Sequence, residues 1–148
     1  MVPRATAALV VAVTLTGCAG GLGLADRPAT TDRTTTELAT TADRRPYPDP
    51  PDELTNESAK RVALDYEEAY VHNRLRNASE LTYFSVREGY VTSVESEVLN
   101  ESDGGVYVRV QMPYSTGTEN SSGDGGTNAV YLLSEETVER VRGDEVSP

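Results

Sequence analysis

The chain has 148 residues, with 24 acidic against 13 basic side chains and a net charge of −11. A surface of this sign repels nucleic-acid phosphates and anionic lipid headgroups, which excludes nucleic acid as a partner and excludes membrane attachment through a basic patch. The single cysteine excludes a disulfide framework and a cysteine metal site.

Residues 1–17 have the layout of a secretory signal peptide. One positive charge, Arg4, precedes an apolar run from Ala5 to Leu15, and a small residue, Gly17, stands at the expected cleavage point. A helix that crosses a bilayer needs about 20 apolar residues, more than this run provides. We therefore predict that residues 1–17 are removed on export, with a buried core helix or a membrane span as the alternative.

Cys18 directly follows Leu15, Thr16 and Gly17. This stretch resembles the lipobox of prokaryotic lipoproteins, and the resemblance covers residues 1–18 alone. It implies that Cys18 becomes the mature N-terminus and carries a lipid, which would hold the protein on the outer face of the cell membrane. An ordinary free thiol is the alternative for Cys18.

The acidic surface also indicates an environment. Lys60 is the only lysine, and the acids are spread from Asp26 to Glu145 rather than concentrated in one place. An acid-rich surface with few lysines stays hydrated in molar salt, where charges are screened within about 3 Å. Together with the lipobox, this composition resembles secreted lipoproteins of halophilic archaea. A cluster that binds cations or basic partners is the alternative.

Residues 18–51 are predicted to form a lipidated, flexible and disordered tether. The stretch is rich in threonine, ends in the proline-rich segment 46–51, and holds too few apolar residues to offset the entropy of ordering by burial. A small domain follows at 52–143, with a short tail at 144–148.

The predicted domain begins with a helix over residues 56–76, with Thr55 as its N-cap. Its buried face is defined by apolar residues and tyrosines at helical spacing: Ala59, Val62, Ala63, Tyr66, Ala69, Tyr70 and Asn73. Glu67 and Glu68 are placed off this face.

Alternation of apolar and polar residues predicts strands at 90–99, 106–114 and 129–133, and a weaker strand at 81–86. Residues 100–105 form a turn, residues 115–127 a polar loop, and residues 137–142 a final strand or a short helix, with the strand favoured. The fold class is therefore α+β, with one N-terminal helix packed on an antiparallel sheet of three to five strands. The order of these elements resembles cystatin-like or nuclear-transport-factor-like folds.

Signatures of catalysis are missing from the sequence, and we expect no enzyme activity, no cofactor and no metal site. His72 is the single histidine, and its polar neighbours favour a solvated position over a general base. Glu95 and Glu97 share one face of a strand, which favours a solvent face. The segment 119–124 offers oxygen ligands but lacks the order of a calcium loop.

Two surface features remain. Tyr107 points away from the apolar face of its strand and is a candidate for a contact surface, with a half-buried strand aromatic as the alternative. Four of the six asparagines lie in Asn-x-Ser/Thr sequons and are candidates for N-glycosylation: Asn56, Asn77, Asn100 and Asn120.

These observations predict a lipid-anchored, extracellular binding or interaction module without enzyme activity. Its partners would be the membrane, through the lipid at Cys18, and a protein or small molecule that the sequence does not identify. The alternative is a curved-sheet domain that binds a small ligand or a substrate in a pocket between helix and sheet, with Tyr66 or Tyr70 in its lining. A passive envelope component is a third possibility.

Overall fold

The computed structural model describes residues 37–38, 42–89 and 92–148. The predicted signal peptide at 1–17, the predicted lipid attachment site Cys18 and most of the predicted tether lie outside the described residues. So do Tyr90 and Val91 of the strand predicted at 90–99.

The helix α1 spans Asn56–Leu75 and confirms the helix predicted at 56–76. It begins where Thr55 Oγ1 accepts a hydrogen bond from the Ser58 amide at 3.1 Å, while Ser58 Oγ accepts one from the Thr55 amide at 2.9 Å. This reciprocal pair is a capping box that satisfies two backbone donors left over at the helix start.

The strands form one antiparallel sheet, and five of them lie between Tyr83 and Gly143. Their bounds are β2 Tyr83–Val86, β3 Glu95–Ser102, β4 Gly105–Gly117, β5 Ser122–Leu133 and β6 Val138–Gly143. A two-residue strand, β1 Glu37–Leu38, pairs with β2. The fold is therefore α+β, with one helix packed against an open antiparallel sheet, as predicted.

The long strand β4 is the centre of the sheet. One of its edges pairs with β5 along the whole length, from Val106 opposite Leu133 to Gly117 opposite Ser122. Its other edge pairs with β3 along the first part and with β2 along the last part. The strand β6 pairs with β5 and lies at the side of the sheet away from β4.

Alternation along β4 separates the two faces of the sheet. The inner face carries the buried side chains of Val106, Val108, Val110, Met112 and Tyr114, as predicted. They pack with apolar residues of α1 and of the neighbouring strands, including Val71, Leu75, Phe84 and Leu133, in one core cluster. The outer face carries Tyr107, Arg109 and Gln111.

The prediction of a polar loop at 115–127 is wrong. Strands β4 and β5 continue through most of this segment and leave only a short turn at 118–121. The pairing is possible because glycines make room for aromatic rings: a Cβ added at Gly125 would lie 2.4 Å from the Tyr114 ring, and one added at Gly117 would lie 1.9 Å from the Tyr83 ring. The final segment is strand β6, which agrees with the favoured alternative.

Residues 42–50, which the sequence places in the tether, lie along α1, and we call them the strap. The Asn73 side chain accepts a hydrogen bond from the Arg45 amide and donates one to the Arg45 carbonyl, both at 2.9 Å. The Tyr47 ring stacks on Tyr66 with ring centroids 4.6 Å apart. The packed part of the chain therefore includes residues that precede the predicted domain boundary at 52.

Among the described residues, no helix is long and apolar enough to cross a membrane.

Candidate functional site

A buried carboxylate, Glu67, stands at the interface between α1 and the sheet. Its side chain is fully buried. Its Oε1 accepts a hydrogen bond from Thr127 Oγ1, and its Oε2 accepts one from the Tyr131 hydroxyl, both at 2.5 Å. The Arg140 guanidinium donates to both oxygens, at 3.2 and 3.0 Å. The position predicted for Glu67, away from the buried face, is therefore wrong.

The polar groups of this cluster come from three elements whose geometry brings them together. Thr127 and Tyr131 project from the inner face of β5, and Arg140 projects from the same face of β6, where it pairs with Tyr131 across the strands. Each is a donor, and an ionised carboxylate only accepts. The cluster therefore satisfies the hydrogen bonding of a charge that would be costly to bury alone.

The pKa shifts agree with this assignment of donors and acceptor. Burial raises the pKa of Tyr131 far above its ordinary value of 10.0, and the negative charge of Glu67 and the hydrogen bond to it act in the same direction. Burial alone would lower the pKa of Arg140, but the hydrogen bond to Glu67 and its negative charge outweigh burial, so the pKa is raised. Tyr131 is thus a neutral donor and Arg140 a charged one at neutral pH.

Aromatic rings fill the space around this cluster. The Tyr66 and Tyr131 ring centroids lie 5.4 Å apart, and the Arg140 guanidinium carbon lies 4.3 Å from the centroid of Tyr70. Four clefts in the described part of the chain have no residue of α1 in their linings. The tyrosines that could line a pocket between helix and sheet are instead packed against each other and against Arg140.

The solvated position predicted for His72 is wrong. The side chain is 1% exposed, its Nε2 donates to the Asp43 carbonyl at 2.8 Å, and its ring meets Phe84 edge-on with centroids 5.1 Å apart. The reason is the strap, which lies over this part of α1 and supplies a backbone acceptor. His72 therefore connects the strap to the core.

The outer face of the sheet carries a strip of apolar side chains. Tyr107 and Leu132 are directly opposite each other on β4 and β5, and both are half-buried. Val130, also on this face, is 6% exposed and lies between Arg109 on β4 and Arg142 on β6. Tyr107 lies on the face of the sheet that the sequence predicts. Its partial burial matches the alternative interpretation, a half-buried strand aromatic.

Two shallow clefts adjoin this strip on the outer face. One has a volume of about 460 Å³ and is lined by Arg109, Val130, Arg142 and Gly143 together with Asn128 and Asp144. The other has a volume of about 310 Å³, shares Asn128 and Asp144 with the first, and continues past Gln111 to the glycines of β5. A larger cleft of about 670 Å³ lies near the far end of the sheet, around Ser85, Ser115 and Ser122.

The other candidate residues are spread over the surface. Glu95 and Glu97 are exposed on the outer face, and Glu97 forms an ion pair with Arg109 at 3.2 Å. The segment 119–124 is the turn and the start of β5, where Asp124 accepts a hydrogen bond from Ser115 Oγ at 2.5 Å. Within the described residues, no group of three or more His, Cys, Asp or Glu side chains could hold a metal ion.

The four sequon asparagines are all exposed. Asn56 is the first residue of α1, Asn77 follows the C-cap Arg76, Asn100 lies in β3, and Asn120 lies in the turn between β4 and β5. A sugar on any of them would project into solvent. None of the four asparagines belongs to the buried cluster around Glu67.

Comparisons with protein-family models, with curated proteins and with solved structures found no match to this chain.

Proposed function

We propose that the chain is a membrane-anchored, extracellular binding module without enzyme activity, and that the outer face of its sheet is the contact surface. The observation that carries the proposal is the pair of half-buried apolar side chains Tyr107 and Leu132, which lie opposite each other, beside the buried Val130, on the face of the sheet opposite α1. In the part of the chain that the structure describes, no helix packs on this face.

The strip and its surroundings have the composition of a contact surface. An apolar centre with an aromatic ring and arginines, surrounded by polar side chains, is typical of protein interfaces. Here the centre is flanked by Arg109 and Arg142, and Glu97 and Glu139 lie on the adjacent strands. In contrast, the buried acid Glu67 has its oxygens engaged by Thr127, Tyr131 and Arg140 and is not available to a substrate.

Anchoring is proposed to occur through a lipid on Cys18. The support is the lipobox at residues 15–18, together with the acidic surface that disfavours direct contact with anionic headgroups.

Replacing Cys18 with serine is expected to move the protein from the membrane fraction into the medium, because the lipid attachment atom is lost. The measurement is the amount of protein in each fraction of expressing cells, with Cys18→Ala as a second variant. A Cys18→Ser protein that stays on the membrane as firmly as the parent would show that the lipid is not the anchor.

A photoreactive amino acid at Leu132 is expected to give light-dependent adducts on native membranes, because this position lies in the apolar strip. The matched control carries the same amino acid at Arg61, an exposed residue of α1. Adducts that form equally from both positions, or from position 61 alone, would contradict the proposed contact surface.

A further inference from the structure

We propose that the two adjoining clefts on the outer face form one trough that binds a neutral, linear oligosaccharide. The inference rests on the proposed function, since it names the ligand class of the same face. We define the trough by Arg109, Gln111, Asn128, Val130, Arg142 and Asp144.

The shape of the trough suits an elongated ligand. The two clefts have volumes of about 310 and 460 Å³, and they are neighbours because Asn128 and Asp144 line both. Gly126 on β5 keeps a side chain out of the path at one end. The result is a shallow, open channel across β4, β5 and β6 rather than an enclosed cavity.

The polar groups of the trough match the hydroxyl groups of a sugar. Amide and guanidinium groups are planar and present two polar atoms side by side, which can pair with two neighbouring hydroxyls. Among the described residues, no hydrogen bond or ion pair involves the side chains of Gln111, Asn128 or Arg142. These three side chains are therefore available to a ligand.

Two hydrogen bonds connect Asn128 and Asp144, the residues that both clefts share. The backbone amide of Asn128 donates to Asp144 Oδ2 at 3.0 Å, and the backbone amide of Asp144 donates to the backbone carbonyl of Asn128 at 3.1 Å. This exchange fixes the residues that the two clefts share. An extended peptide would pair with an unpaired strand edge, such as the outer edge of β6, rather than lie across the paired strands β4 and β5.

The charges within the trough balance, although the whole chain carries −11. The linings of the two clefts contain two arginines, Arg109 and Arg142, and two aspartates, Asp124 and Asp144. A neutral ligand fits such a site better than an anionic or a cationic one.

The test is titration of the full chain carrying Cys18→Ser with linear neutral oligosaccharides of glucose, mannose or galactose, followed by calorimetry. We expect at least one of them to bind. Asn128→Ala and Arg142→Ala are each expected to weaken that binding about tenfold, because each removes hydrogen bonds to the sugar. Arg61→Ala, on the exposed side of α1, is the matched control and should leave binding unchanged.

Three results would overturn the proposal. They are binding of none of these oligosaccharides, a preference for an oligogalacturonate, and binding that both trough variants leave unchanged. The cross-linking experiment at Leu132 separates this failure from that of the proposed function. A protein adduct at Leu132 without any sugar binding leaves the contact surface in place and removes only the oligosaccharide.

Discussion

Replacing Glu67 with leucine is expected to lower the free energy of unfolding by about 3 kcal/mol, because the Arg140 charge loses its buried partner. The value lies at the lower end for a broken buried pair, since 17% of the Arg140 side chain is exposed and water can partly compensate. Thr127 and Tyr131 lose their acceptor in the same change. Denaturant unfolding monitored by circular dichroism measures the effect.

Two further variants separate the buried pair from a general effect of removing an acid. Glu57→Gln breaks an exposed ion pair with Lys60 and should cost less than about 1 kcal/mol. The double variant Glu67→Leu with Arg140→Met should recover part of the lost stability, because no unpaired charge remains. A Glu67→Leu protein as stable as the Glu57→Gln protein would contradict the structural role of the cluster.

Replacing Gly105 with alanine is expected to destabilise the domain by about 3 kcal/mol or more, because backbone strain and a backbone clash add together. Gly105 has a φ of +132°, and a Cβ added there would lie 2.0 Å from the Leu133 carbonyl oxygen. The residue pairs with Ser102 at the turn between β3 and β4, so relief of the clash would disturb the pairing of β4 with β5. Thermal and denaturant unfolding both measure the loss.

Gly123→Ala provides the control within the same sheet. Gly123 lies in β5, and a Cβ added there would meet nothing within 4 Å. Because alanine restricts the unfolded chain more than glycine does, this variant should be as stable as the parent or slightly more stable. Equal destabilisation at both positions would mean that the conformation of Gly105 is not the cause.

The extent of α1 could be predicted from the sequence, because the N-cap and the helical spacing of apolar residues are local signals. Which residues form its buried face could be predicted only in part. Ala59, Ala63, Val71 and Leu75 are each 0% exposed and stand four residues apart in a row whose middle member is Glu67. The spacing alone therefore points to Glu67. A charged residue is assigned to such a row only once its partners are known, and these lie 60 to 73 residues away along the chain.

Strand pairing explains the other differences between sequence and structure. The glycine-rich segment 115–127 has low strand propensity, and it becomes a hairpin because the rings of Tyr83 and Tyr114 occupy the space above glycines on neighbouring strands. The face of Tyr107 follows from alternation within one strand and could be predicted. The trough could not be predicted from the sequence, because it forms only when β5 pairs with β6 and Asp144 lies beside Asn128.

The strap has a mechanical consequence if the domain is held through Cys18, as proposed. Its contacts run antiparallel to α1: the Ala42 carbonyl accepts a hydrogen bond from Arg76, near the end of the helix, and Tyr47 stacks on Tyr66, nearer its middle. A pull along the helix axis would load all of these contacts in shear, so they would share the force. A sideways pull would first break the pairing of β1 with β2 and then peel the strap contacts one at a time, beginning at Ala42. The domain would therefore resist drag best when its helix is aligned with the direction of the pull.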